Sequence, residues 1–197
     1  MIDKAKQAGV FVRRKITELS ENKNGSAVRA ALARLRRGIG KAPGSMPELW
    51  SVTLDGLPEP LLGKGNIPSP GEWAVHTALT LYALHQQGKD LKKECMNRDG
   101  ESLGAAVRNL AQSDEDRESA VTRRFNAAVT SDSFEEFSRH LRGLVELLKS
   151  ENLPLDYPSL AEDLYRFQFP EQRDGIRLKW GQDFYHMPND ESQDNEA

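Results

Sequence analysis

Apolar residues recur along this chain at steps of three and four, and the stretches in which they do so are separated by segments rich in Pro and Gly. From Val28, the set Val28, Ala31, Leu32, Leu35 and Ile39 forms one stripe of an α-helix, because positions three and four apart stack on one helical face. Ser69-Pro70-Gly71-Glu72 reads as a capping box with Pro at the first helical position. It opens a helix that carries Trp73, Ala74, Ala78, Leu81, Tyr82 and Leu84 as far as Gly88. Ser133-Phe134-Glu135-Glu136 repeats the device ahead of a second stripe, Phe134, Phe137, Leu141, Leu144, Val145 and Leu148. Shorter helices are expected at about residues 3 to 21, 102 to 111, 114 to 129 and 157 to 168.

Strand signals are nearly absent, since no period-two run is convincing and both Asn24-Gly25 and Asp99-Gly100 separate helical patterns. Lys41 to Pro70 is a long irregular stretch with prolines at 43, 47, 58, 60, 68 and 70, and a short helix is expected within Met46 to Leu54. After Met187 the sequence PNDESQDNEA has nothing apolar to bury except its last alanine. The expected fold is all-α, a helical bundle protein of two small packed helical lobes. Residues 1–110 would form an N-terminal lobe holding the Val28 helix and the Pro-rich loop 41–70, residues 111–186 a C-terminal helical bundle, and residues 187–197 a disordered acidic tail.

At 197 residues the chain is long enough to bury a core without covalent staples. Its lone cysteine, Cys95, has no internal disulfide partner, so a reducing, cytoplasmic setting is expected. The N-terminal MIDKAKQAGVFVRRK is broken by charge and offers no signal-peptide core, and no run of 18 apolar residues suits a membrane span. The net charge of -3 hides a strong asymmetry. Residues 1–45 hold 11 Lys+Arg against 3 Asp+Glu, whereas residues 150–197 hold 4 against 11. A basic face for a polyanion, with an acidic end that keeps the chain soluble, fits that division.

Candidate chemistry is thin. His76, His85, His140 and His186 are scattered, with no HExxH spacing and no CxxC pair, so zinc has no support and no motif calls for a cofactor. GxxxxGK[ST], GxGxxG after a strand and GxSxG are all missing. Lys92, Lys93 and Arg98 flank Cys95, but nothing pairs the thiol with a base, and a surface loop cysteine accounts for it. Asp114-Glu115-Asp116 reads as negative charge at a helix N-terminus. The chain is not expected to be an enzyme.

The strongest local signal is RAALARLRRGIGK. Arg29, Arg34, Arg36, Arg37 and Lys41 fall in stripes beside the Val28 seam, and no acid interleaves with them. Their mutual repulsion is left for a partner to relieve, and an excess of Arg over Lys suits bidentate phosphate contacts. The competing reading pairs this helix with the acidic C-terminal quarter. Arg108, the pair Arg123 and Arg124, and the pair Arg139 and Arg142 extend the cationic set. Arg139 and Arg142 are three apart, so both can point outward together. Aromatics do not interleave with these cations, so phosphate contact without base reading is the expected mode.

In order, RAALARLRR, PELWSVTL, WAVHTALTLYALHQQG, ESLGAAVRNL, RRFNAAVTS, FSRHLRGLVELLKS, LDYPSLAEDLYRF and KWGQDFYH resemble the CasB family, the small subunit of type I-E CRISPR Cascade complexes. The resemblance runs from about Arg29 to Tyr185. It implies a non-enzymatic, all-helical subunit present as a head-to-tail pair, beside the backbone subunits that hold guide RNA and near the large subunit that reads the PAM. The family's basic face holds the displaced non-target DNA strand and steadies the R-loop in antiviral defence. Carried onto matching motifs, that face is Arg29, Arg34, Arg36, Arg37, Arg108, Arg123, Arg124, Arg139 and Arg142. KWGQDFY around Trp180 is expected to pack the C-terminal bundle instead of binding a base. The alternative from another class is an all-helical adaptor whose basic helix docks on an acidic protein partner.

Overall fold

Side chains that accept the first free backbone N–H groups set most of the helix starts. The computed structural model describes residues 3–112 and 115–186, with side chains for all of these except 115–117. The Asp3 carboxylate accepts from the Ala5 N–H at 3.0 Å and opens α1 (Lys4–Glu21), which buries Ala5, Ala8, Val12, Ile16 and Leu19 at helical spacing. Asn24 caps α2 (Gly25–Arg37), whose buried stripe is Val28, Ala31, Leu32 and Leu35. Two 3₁₀ turns, Pro47–Leu49 and Glu59–Leu61, flank the short α3 (Trp50–Thr53) inside the Pro-rich stretch, where a short helix is expected.

The capping box before α4 (Pro70–His85) is complete: Ser69 Oγ accepts from the Glu72 N–H at 3.0 Å, and Glu72 accepts from the Ser69 N–H at 2.7 Å. At Ser133 the device is altered. Ser133 Oγ accepts from the Glu136 N–H, but the Glu136 carboxylate reaches the N–H of Asp132, one residue further back.

Every residue of α4 from Ala74 to His85 is buried, as its lack of a polar face requires. It is the central helix, packed on α1, α2, α7 (Phe134–Ser150) and α8 (Tyr157–Phe167). α5 (Leu103–Gln112) lies against α6 (Glu115–Val129) and α9 (Pro170–Tyr185). Gly104 makes the α5–α9 contact possible, because a Cβ there would overlap the backbone carbonyl of Trp180. One cluster of buried apolar side chains is continuous from Ala8 to Phe184. Near its centre Phe137 stacks on Phe167 and on Trp180, with ring centroids 4.4 and 5.0 Å apart.

The fold is all-α: among the described residues there is no strand, only an isolated bridge between Asn97 and Leu155. α9 is the element that the apolar spacing does not announce. Its buried set is Ile176, Trp180 and Phe184, one residue per turn with charge on every side, which is too narrow a stripe to stand out. Trp180 is fully buried, as expected of the KWGQDFY segment. The tail 187–197 lies outside the described residues, as do Asp114 and the side chains of Glu115 and Asp116.

Candidate nucleic-acid interface

The stripe that buries Val28 and Leu35 against α4 leaves the α2 cations on the flanks and outer face. Arg29 is exposed and makes no hydrogen bond or ion pair with a described residue. Arg37 is exposed and sits 3.3 Å from Glu48, so one of the five cations expected to meet no acid does meet one, supplied by the 3₁₀ turn that follows in the chain. Arg36 is half-buried, with its Nη1 3.5 Å from the Ala83 carbonyl of α4. Arg34 is also half-buried, and its Nε has no partner.

After α2 the chain reverses at Gly40, whose φ of 73° is left-handed, and this turn sets Lys41 exposed beside α4 and α7. There Lys41 meets the two arginines of α7. Trp73, His76, Thr77, Thr80 and Leu81 form one face of α4, at steps of three and one; Phe134, Ser138, Arg139 and Arg142 form the facing ladder of α7. These two faces and the residue 39–41 turn enclose a groove of about 510 Å³. Arg139 has no partner among the described residues, and Arg142 donates to Glu146 at 3.0 Å on the exposed surface, a pair of small energetic weight.

The other predicted positions lie elsewhere. Arg123 and Arg124 are exposed on α6, whose buried seam is Val121, Phe125 and Ala128, and neither pairs with a described residue. Arg108 turns inward: its Nη1 donates to the carbonyl of Asp183 at 2.7 Å and to that of His186, holding the end of α9 against α5. Its donors therefore satisfy carbonyls that the helix leaves open.

The groove also gathers residues that the linear pattern does not join. Trp73 and Phe134 are half-buried and meet edge-on, ring centroids 6.0 Å apart, beside the cations. Sequence order does not join them because Trp73 and Lys41 come from other segments, and on α7 Phe134 lies a turn or more before both arginines. His76 lines the same groove and is only 3% exposed. Its Nε2 lies 2.9 Å from the Gly38 carbonyl, and burial holds its pKa below the usual histidine range. Among the described residues no group of three or more His, Cys, Asp or Glu is placed to hold a metal ion, and no helix is long and apolar enough to cross a membrane.

By fold and site this is an all-helical protein that gathers two aromatic rings and three cations around one groove between α4 and α7. The family is more definite: the model of the CRISPR-associated protein Cse2 matches residues 31–185, and this chain belongs to that family. It is similar to CasB from Thermobifida fusca, with 33% identity over 91% of this chain and 98% of that one and a TM-score of 0.75. It is also similar to a CRISPR-associated protein of the Cse2 family from Thermus thermophilus, with 26% identity, 90% and 97% of the two chains covered and a TM-score of 0.64. No curated protein matches the chain.

Proposed function

We propose that this chain is a non-catalytic subunit of a type I-E CRISPR Cascade ribonucleoprotein. It binds nucleic-acid backbone without reading sequence, holds the displaced non-target DNA strand and so steadies the R-loop. Its neighbours would be the backbone and large subunits, the guide RNA and a second copy of itself. The observation that carries this reading is the meeting of Lys41 with Arg139 and Arg142 on one groove, from positions about a hundred residues apart in sequence, with Arg29, Arg123 and Arg124 exposed on the same chain. R-loop formation exchanges one duplex for another of similar stability, so modest phosphate contacts to the displaced strand tip a nearly level balance. Contacts to phosphate carry no sequence information, which suits a subunit that must serve any target.

A salt series tests the reading. Affinity for single-stranded DNA should fall log-linearly between about 50 and 200 mM salt, with a slope set by the phosphates neutralised. Replacing Arg139 and Arg142 together with Gln should flatten that slope and shorten R-loop lifetime in the assembled complex. Salt-independent binding, or an R-loop lifetime unchanged by the substitutions, would refute it.

A further inference from the structure

The groove between α4 and α7 has more than the backbone of a nucleic acid needs. Phosphate contact requires cations at a surface, and Lys41, Arg139 and Arg142 supply them. It does not require a concavity of about 510 Å³, two half-buried aromatic rings or a buried imidazole. A volume in the roughly 300–1,000 Å³ range, with apolar walls and a few polar groups, is the character of a site for a small flat group.

His76 is fixed in the wall of the groove. A carbonyl oxygen only accepts, so the 2.9 Å contact to Gly38 fixes the proton on Nε2 and leaves Nδ1 with a bare lone pair. Nδ1 is buried and has no partner. It is too occluded to meet an occupant of the groove, so His76 serves as part of the wall. The groove therefore asks for two features in one occupant: a flat face for Trp73 or Phe134, and anionic groups for the cationic rim. Glu135 is the one acid among the described lining residues, so the rim stays net cationic.

We propose that this groove receives one unstacked nucleobase of a single strand, with the flanking phosphates on Lys41, Arg139 and Arg142. The inference rests on the reading of the chain as a holder of single-stranded nucleic acid and adds a base-sized site to it. Sequence tolerance is kept. Every natural base has a flat face, so stacking on Trp73 or Phe134 does not select among them. A base held here is withdrawn from re-pairing, which resists collapse of the open strand more directly than phosphate contact alone.

The test compares oligothymidylate of about 12 nucleotides with an abasic phosphodiester of the same length, using the full chain at low salt. The expected result is binding of the abasic strand about tenfold weaker, with the same salt slope, because the phosphates are shared and the base is not. Ser138→Trp fills the groove while leaving all three cations in place. It should abolish the advantage of the base-bearing strand and keep the affinity for the abasic one, which also reports that the variant is folded. Equal affinity of the wild-type chain for the two strands, or an undiminished preference in Ser138→Trp, would overturn the base site while leaving the backbone reading intact. Binding of neither strand would overturn both. Binding of polyglutamate as tightly as oligothymidylate would overturn the base site in favour of an acidic protein partner.

Discussion

α2 and α9 carry similar cationic equipment and use it in opposite ways. In α9, Arg173 donates to the carbonyls of Phe167 and Asp132 and lies over the Phe167 ring. Arg177 donates to the carbonyls of Val129 and Ser131 and to Asp174. Lys179 donates to both oxygens of Asp163, which is 2% exposed and also accepts from Trp180 Nε1 at 2.8 Å. Each of these cations closes an open helix end or a buried acid. In α2, by contrast, Arg29 meets no described partner, Arg37 touches only the partly exposed Glu48, and Arg36 makes one contact at the 3.5 Å limit. α9 belongs to the acidic quarter of the chain and α2 to the basic one. Each of these three α9 cations makes two or more contacts with the fold, while Arg29, Arg36 and Arg37 of α2 make at most one each with described residues.

The largest effect that would test this contrast comes from the residue around which α9 is packed. Trp180→Ala removes a fully buried ring stacked on Phe137 and Phe167 and leaves Asp163 short of a donor. Loss of about 3–5 kcal/mol is expected, seen as a fall of roughly 10 °C or more in the thermal midpoint. A midpoint within about 2 °C of the parent would mean that α9 is a replaceable surface helix.

How far the sequence discloses this architecture depends on where each signal resides. α4 and α7 are readable because a capping residue and an apolar stripe lie together in one short window. α9 is not, because its partners, Asp163, Val129 and Ser131, lie on other elements and only the fold explains its polar residues. The candidate site divides in the same way. Arg139 and Arg142 follow from helical spacing on α7, and Arg29 from the open flank of α2. Arg108 reads as a surface cation from its neighbours in sequence, yet it holds the end of α9, some 75 residues away. Trp73 and His76 share one face of α4 by their spacing, but nothing in the sequence joins them to Phe134, since what unites the three is a groove made by two helices and a turn.

Acid separates interior from surface next, since Arg stays charged in both helices at any pH of interest. His85 is fully buried beside Tyr157, and burial first, then the charge of Lys89, lowers its pKa to about 4. Its folded value lies below the unfolded one, near 6.5, so the unfolded chain binds the proton more readily. The stability it confers is complete above about pH 6.5 and is lost as pH falls toward 4, up to about 3 kcal/mol. Asp163 acts in the opposite sense, its pKa raised by burial against the pull of Lys179, so protonation at lower pH offsets part of the loss. Urea midpoints between pH 7 and 4 measure the sum, and His85→Gln should flatten the upper part of that profile. A slope unchanged in the variant would show that other groups carry it.

Arg177→Ala follows, a direct probe of a cation drawn into the fold. Two carbonyls, of Val129 and Ser131, lose their donor where α6 ends and the turn to α7 begins. The residue is half-buried, so water replaces part of what is lost and about 1–3 kcal/mol of destabilisation is expected. Arg177→Lys should restore little, because one ammonium does not reproduce the two-pronged reach of a guanidinium. Full rescue by Lys would mean that charge matters here and geometry does not.

The smallest effect on stability belongs to α2, and there the contrast is most exposed to failure. Arg29 and Arg37 on its outer face should be replaceable together by Ala at a cost within about 0.5 kcal/mol. Ala is the better helix former, Arg29 gives up no described partner, and the Arg37–Glu48 pair joins two largely exposed side chains. The same double substitution should weaken single-stranded DNA binding, and more so at low salt, because each phosphate contact removed also removes released counterions. Thermal midpoint and the salt slope of DNA affinity, measured on one preparation, therefore move independently: the first stays and the second flattens. If the midpoint falls by several degrees with the DNA slope unchanged, α2 uses its cations as α9 does, and the division between the two helices is lost.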